Sequence, residues 1–199
     1  MSARSEREAK HPRPGSPRAR LFVALDLPGD ARDELARWRD DAIRGREDVR
    51  PVAPEALHVT LAFLGYRPEK EIDRIAELMA SAVTERTAPR LRARDVKPLP
   101  PRRPRLFALD LHDQGGEAVA LQSAVSDALE TERIYKPEKR PFWPHITLAR
   151  VKRNVRAAAW EGPAPPAGEW RAAAVTLYRS VLRPQGALYE PLGVASLAG

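Results

Sequence analysis

The sequence predicts two similar lobes of mixed strand and helix, related by a pseudo-twofold axis and sharing a cleft, and three features carry that prediction. Residues 58–65, HVTLAFLG, are echoed by residues 144–150, PHITLAR. Residues 21–27, LFVALDL, are echoed by residues 106–111, LFALDL. A helical pattern follows each LDL run before the matching His run, and the two motif histidines stand 87 residues apart. A unit repeated only twice favours a pair of lobes over a solenoid.

Taken in order, residues 1–19 are polar, basic and Pro-rich without apolar periodicity, so they cannot repay the entropy of ordering and read as a disordered arm. His11 sits inside that arm. Residues 21–27 form an apolar run closed by Pro28 and Gly29, which predicts a buried strand. Asp30 is the expected N-cap of a helix over residues 31–43, whose Leu35, Trp38 and Ala42 share one face, and Gly45 stops it. Residues 49–54 read as an irregular, Pro-broken approach to the first His strand, residues 57–64. Pro68 opens a second helix over residues 68–84, at a position where its missing N–H costs nothing; Ile72, Ile75, Met79 and Val83 form the stripe. A strand over 91–99 and a loop, PPRRPR, lead into the second LDL strand. Ala118, Leu121, Val125 and Leu129 then stripe a helix after Gly115 and Gly116, and the second His strand spans 144–152. Residues 157–168 contain GPAPPAG and are loop. Strands over 170–181 and 187–194, joined by a tight turn at 183–186, close the sequence.

Composition excludes several chemistries. With no Cys there is no disulfide, thiolate metal site, iron–sulfur cluster or Cys nucleophile. No apolar stretch is long enough to span a bilayer and no secretion signal is legible, so a cytoplasmic protein without membrane contact is expected, and a monomer. Of the net charge of +7, +4 lies in residues 1–20. Overall charge is therefore a weak argument for a polyanionic partner. Arg, at 28 against 6 Lys, carries most of the positive charge and suits bidentate phosphate contacts. Arg90, Arg92, Arg94, Lys97, Arg102, Arg103 and Arg105 concentrate around one loop, as either a solvated face or a nucleic-acid contact.

The chemistry lies in the His motifs. Strand side chains alternate, so His58 and Thr60 share a face, as do His145 and Thr147, while Val59, Leu61, Ile146 and Leu148 turn toward a core. A single strand His is more often structural. The same offset occurring twice among four histidines reverses that reading. Imidazole titrates near neutrality, so two can divide the work of acid and base, and displacement at phosphorus needs one on each side. Thr60 and Thr147 would donate to non-bridging oxygens, although β-propensity alone also explains them. A cation should help, and Arg150 and Arg140 are nearest in sequence. Strict alternation sends Arg150 to the wrong face, so it reaches the phosphate only if the strand bulges, twists strongly or ends first. His112 lacks the motif and reads as a surface or turn residue. Two histidines without a further ligand cluster make no metal site, so neither metal nor cofactor is expected.

At these residues the chain resembles the two-histidine phosphoesterase superfamily, marked by paired His-x-Thr-x motifs, and within it the RNA 2′,3′-cyclic phosphodiesterases of the 2′-5′ RNA ligase family. The likeness runs from about residue 20 to 192 through RLFVALDLP, APEALHVTLAFLG, PRLFALDL, RPFWPHITLAR and VTLYRSVLRPQGALYEPL. It implies a bilobal α+β fold in which each lobe is an antiparallel sheet backed by helices, with residues 20–199 as one bilobal unit. It implies metal-independent opening of an RNA 2′,3′-cyclic phosphate to a 2′-phosphate. His58 would then be the proton donor to the departing 3′ oxygen, His145 the base, and Thr60 and Thr147 the phosphate holders. Two positions depart from the pattern: Ala62 stands where relatives often carry a basic residue, and Trp143 where they often carry Arg. Phe142 or Trp143 could stack a base instead. Ligation to a 2′-5′ linkage, hydrolysis of 2′-5′ oligonucleotides and a non-catalytic RNA-binding role remain alternatives.

Overall fold

The computed structural model describes residues 17–183 and 186–198. In chain order the elements are β1 (Arg18–Asp26), α1 (Gly29–Ala42), β2 (Val49–Pro51), β3 (His58–Pro68), α2 (Ile72–Val83), β4 (Arg90–Leu99), β5 (Leu106–Asp113), α3 (Glu117–Thr131), β6 (His145–Val151), β7 (Glu169–Arg171), β8 (Ala174–Arg183) and β9 (Gly186–Ser196). Among the described residues the strands join one antiparallel sheet, β7-β4-β5-β6-β3-β1-β8-β9, with β2 also paired to β6. The order is symmetric about its centre. β3 and β6 meet in the middle, each flanked by its LDL strand, β1 or β5, and then by β8 and β9 on one side or β4 and β7 on the other.

The lobes are therefore two halves of a continuous sheet, hinged where Val59 stands opposite Ile146. Both side chains are fully buried, at 1% and 0% exposure, within a core that also takes Leu25, Leu61, Leu109 and Leu148. Helix α2 packs on β8 and β9, where Gly193 lets Ala76 approach: a Cβ there would lie 3.0 Å from the Ala76 Cβ. Helix α3 starts after Gly116, whose φ of +79° suits glycine, and packs on α2 and β3. Its stripe of Ala118, Leu121, Val125 and Leu129 is buried as the spacing requires. Helix α1 follows β1 yet reaches toward β5, Trp38 meeting Trp160 at 5.9 Å and Trp160 meeting Phe107 at 5.4 Å.

Several expected boundaries shift for identifiable reasons. Residues 18 and 19 are strand, because Ala19 is buried in the β1–β3 ladder; the rest of the expected arm except Pro17, with His11, lies outside the described residues. Helix α1 begins at Gly29 with Pro28 as its N-cap, which places Asp30 inside the first turn. Residues 49–51, read as irregular, form β2, an edge segment that tolerates Pro51. Pro68 ends β3, and a short 3₁₀ turn (Glu69–Glu71) precedes α2. The expected strand over 170–181 is two. Ala172 N–H donates to Pro89 O in one half of the sheet at 3.0 Å and Ala173 N–H to Asp26 O in the other at 2.9 Å, so the chain changes lobe between them. His112 lies on β5 opposite Arg92, within a strand instead of a turn. No helix among the described residues is long and apolar enough to cross a membrane.

Truncating the central contact should be costly. Ile146→Ala is expected to lower unfolding free energy by about 2–5 kcal/mol, measured by urea denaturation. A loss below about 1 kcal/mol would show that the lobes are not held through this pair.

Candidate active site

The two His strands share one irregularity. On β3, Thr60 pairs with Ala24 and Ala62 with Val23, so Leu61 is an extra residue. On β6, Thr147 pairs with Ala108 and Ala149 with Phe107, so Leu148 is extra. Each bulge falls one residue after the motif Thr and reverses the alternation beyond it. His145, Thr147 and Arg150 therefore lie opposite Asp110, Ala108 and Leu106, all on one face, and His58, Thr60 and Phe63 lie opposite Asp26, Ala24 and Phe22. Arg150 reaches the cleft through a bulge, one of the three routes the parity argument left open. Its counterpart in the other half is Phe63, 46% exposed. The bulge carbonyls are anchored: Val52 N–H donates to Leu148 O at 2.9 Å, and Gln122 Nε2 lies 3.4 Å from Leu61 O.

His58, Thr60, His145, Thr147 and Arg150 all line one cavity of about 630 Å³, together with Arg50, Phe63 and Tyr189. Buried Arg39 of α1 donates to Val52 O and so holds the 51–53 wall of that cavity. The imidazoles are tethered alike. His145 Nδ1–H donates to Trp143 O at 2.8 Å, which leaves Nε2 as the ring's lone pair. His58 bonds the backbone of Ala56, also two residues earlier, and its Nε2 lies 3.2 Å from Thr60 Oγ1.

Behind each His stands the Asp of its LDL strand, one strand over in register. Asp110 accepts the Trp143 indole N–H at 2.7 Å, and Trp143 stacks on His145 with centroids 4.4 Å apart and planes within 16°. Asp26 accepts from Thr176 at 2.5 Å and from the Tyr178 hydroxyl at 2.9 Å. Tyr178 stacks on Phe22, and Phe22 stacks on His58 at 4.9 Å with Tyr189 edge-on at 5.3 Å. Burial raises the Asp26 carboxyl and, with the charge of Asp26, pushes Tyr178 up to about 12, so that phenol stays a donor.

The same aromatic packing sets the state of His58. Burial pushes its imidazole down from 6.5 to about 4; the Ala56 bond opposes, and nearby His145 and Arg150 push further down. At neutral pH the ring is uncharged before any anion arrives.

Three of the expected contacts do not reach the cavity. Trp143 stacks one ring face on His145, gives its N–H to Asp110 and does not line the cavity, so it positions the imidazole. Phe142 packs against the core, and Arg140 is exposed on the segment before β6 and does not line the cavity. Missed by sequence reasoning were Arg50, Phe63, Asp26, Asp110, Phe22, Tyr178 and Tyr189. Asp26 and Asp110 had a signal in the repeated LDL, and Phe63 in its shared offset with Arg150. Tyr178 and Tyr189 had none, because they arrive by long-range strand pairing. No group of three or more His, Asp or Glu side chains among the described residues is placed to hold a metal ion.

Two imidazoles and two hydroxyls at the same offset, on one face of a pseudo-symmetric sheet and lining one cavity, match the paired His-x-Thr-x pattern of the two-histidine phosphoesterases. The chain belongs to the 2′-5′ RNA ligase superfamily, whose family model matches residues 27–183. It is 36% identical over 187 residues to the RNA 2′,3′-cyclic phosphodiesterase of Thermus thermophilus, covering 90% of this chain and 91% of that protein. To the Escherichia coli protein of the same name it is 33% identical over 185 residues, covering 87% and 93%. The crystal structure of TT0787 of Thermus thermophilus superposes with a TM-score of 0.77 at 31% identity, covering 89% of this chain and 97% of that one. Escherichia coli LigT complexed with 3′-AMP gives 0.74 at 26% identity, covering 92% and 100%.

The depressed His58 imidazole has a measurable consequence. The unfolded chain takes up a proton between about pH 6.5 and about 4 that the folded chain refuses at His58, so this group removes stability as pH falls through that window. NMR titration should give the His58 ring a midpoint near 4, and inorganic phosphate should move it upward. A phosphate-insensitive midpoint would count against an anion seat between the rings.

Proposed function

We propose that the protein hydrolyses the 2′,3′-cyclic phosphate at the end of an RNA to a 2′-phosphate without a metal, acting as a cytoplasmic monomer. The observation that carries this reading is the pair of imidazoles, tethered alike through backbone carbonyls and lining one cavity with Thr60, Thr147 and Arg150. The names of the relatives support it.

In the reaction, His145 Nε2, left with its lone pair, takes a proton from water as the water oxygen attacks phosphorus. The bond from phosphorus to the 3′ oxygen breaks, and His58 gives that oxygen its proton. The product is a 3′-hydroxyl beside a 2′-phosphomonoester. Thr60 and Thr147 donate to the non-bridging oxygens, and Arg150 supplies the charge that neutral donors lack.

His58 must carry a proton at the start, and the substrate itself provides the reason. One negative charge about 4 Å away is worth about 4 kcal/mol at an effective dielectric of about 20, or about three pKa units. That returns the buried ring to the neighbourhood of neutrality only when a phosphate sits beside it. Protonation of the acid is thus coupled to occupancy of the site.

The test is incubation of an RNA carrying a 2′,3′-cyclic phosphate with the protein in excess EDTA, followed by analysis of which hydroxyl retains the phosphate. A 2′-phosphate is the expected product; a 3′-phosphate, a 2′-5′ joined strand or a need for metal would overturn the reading. His58→Ala and His145→Ala should each lower kcat by about 10²–10⁴-fold with the fold intact by circular dichroism. Asp110→Asn should lower kcat about tenfold with little change in KM, since Asp110 acts through Trp143 on the orientation of His145.

A further inference from the structure

A cavity of about 630 Å³ has room for one nucleotide, so the rest of an RNA strand must lie outside it. Two loops leave the sheet beside the cation side of the cavity. Arg50 and Arg150 face each other across β2 and β6, and one residue further along Val151 N–H donates to Arg105 O at 2.9 Å, with Lys152 N–H donating to Asp48 O at 2.9 Å. From there residues 99–105 and 152–160 run along a second hollow of about 870 Å³, with Phe107 and Trp160 among its apolar lining and Pro98, Pro101 and Pro104 beside them.

The charge on these loops is one-signed. Arg102, Arg103, Arg105, Lys152, Arg153 and Arg156 are all exposed, and among the described residues none of the six forms an ion pair. Of the other cations of the basic segment, Arg90 is matched with Glu169 and Lys97 with Asp95, while Arg92 and Arg94, on β4 and away from the hollow, form no ion pair among the described residues. Asp48, the carboxylate under the loops, is already taken by Arg46 and the Ala158 N–H, and the Arg46 bond holds it down at about 2. Six exposed like charges on two adjoining loops, three of them (Arg102, Arg103 and Arg156) lining the hollow, repel one another unless a polyanion is present.

We propose that these two loops form a second RNA contact, gripping the phosphodiester backbone of the strand whose cyclic end occupies the His cleft. This rests on the reading of the cleft given above and extends it: the substrate is an oligonucleotide, held through phosphates at a distance from the reacting one. The hollow between the loops, apolar within and basic at its rim, suits one nucleotide of that strand.

The experiment compares the native protein with the fourfold variant Arg102→Ser, Arg103→Ser, Lys152→Ser, Arg153→Ser, all surface changes outside the His cavity. Adenosine 2′,3′-cyclic phosphate and an RNA of about twelve nucleotides ending in a 2′,3′-cyclic phosphate serve as substrates. Equilibrium binding of the same RNA ending in a 2′-phosphate is measured across a salt series. The variant should turn over the mononucleotide within about twofold of the native protein and lose at least about tenfold in kcat/KM on the RNA, with a salt slope smaller by about three, four charges at about 0.7 each. Unchanged RNA binding and salt slope, or equal loss on both substrates, overturns the proposal. If the native protein turned over neither substrate while the variant still lost RNA affinity, the catalytic reading would fail and the second contact would stand.

Discussion

The cleft depends on one contact, Val59 against Ile146. Burying a side chain of this size is worth about 1.5–3 kcal/mol, and both are buried where β3 and β6 meet. Once they face the core, His58 and Thr60 on one strand and His145 and Thr147 on the other must face away from it. A one-residue slip would exchange the two sets and put both imidazoles into the hydrophobic interior. Apolar packing thus fixes the facing of polar groups that contribute little to folding.

A duplicated frame has produced unlike surroundings for two identical side chains. In each half an Asp on the neighbouring strand orients an aromatic residue, and aromatic stacking reaches the His. On one side the chain is short, Asp110 to Trp143 to His145. On the other it is longer, Asp26 to Tyr178 to Phe22 to His58, with Tyr189 closing the edge. The denser enclosure of His58 makes its charge conditional on an anion, the difference on which the proposed division of labour between the two rings rests.

Much of this was legible because the information is local. The motif pairs, the two LDL strands and the helical stripes at Ile75, Met79 and Val83 or Leu121, Val125 and Leu129 depend on residues a few positions apart. Parity even forecast what Arg150 would need. Two things resisted. The LF pairs invite alignment of Phe22 with Phe107, yet the ladders set Phe22 opposite Phe63 on the cleft face and Phe107 opposite Ala149 in the core, because LFVALDL has one residue more than LFALDL. Long-range pairing is the second: nothing near Tyr178 or Tyr189 says that they will stand beside His58, and nothing near Trp143 says that its N–H is taken by Asp110 on another strand.

The passage between Ala172 and Ala173 has an implication for biosynthesis. β4, β5, β6 and β7 follow one another along the chain, so the half around His145 can assemble from a continuous stretch as it leaves the ribosome. The half around His58 begins with β1 and is finished by β8 and β9. The β8–β9 hairpin, translated after both His strands, carries Tyr178 and Tyr189, and the nascent chain has no complete pair of supported imidazoles until that hairpin has emerged and docked along β1.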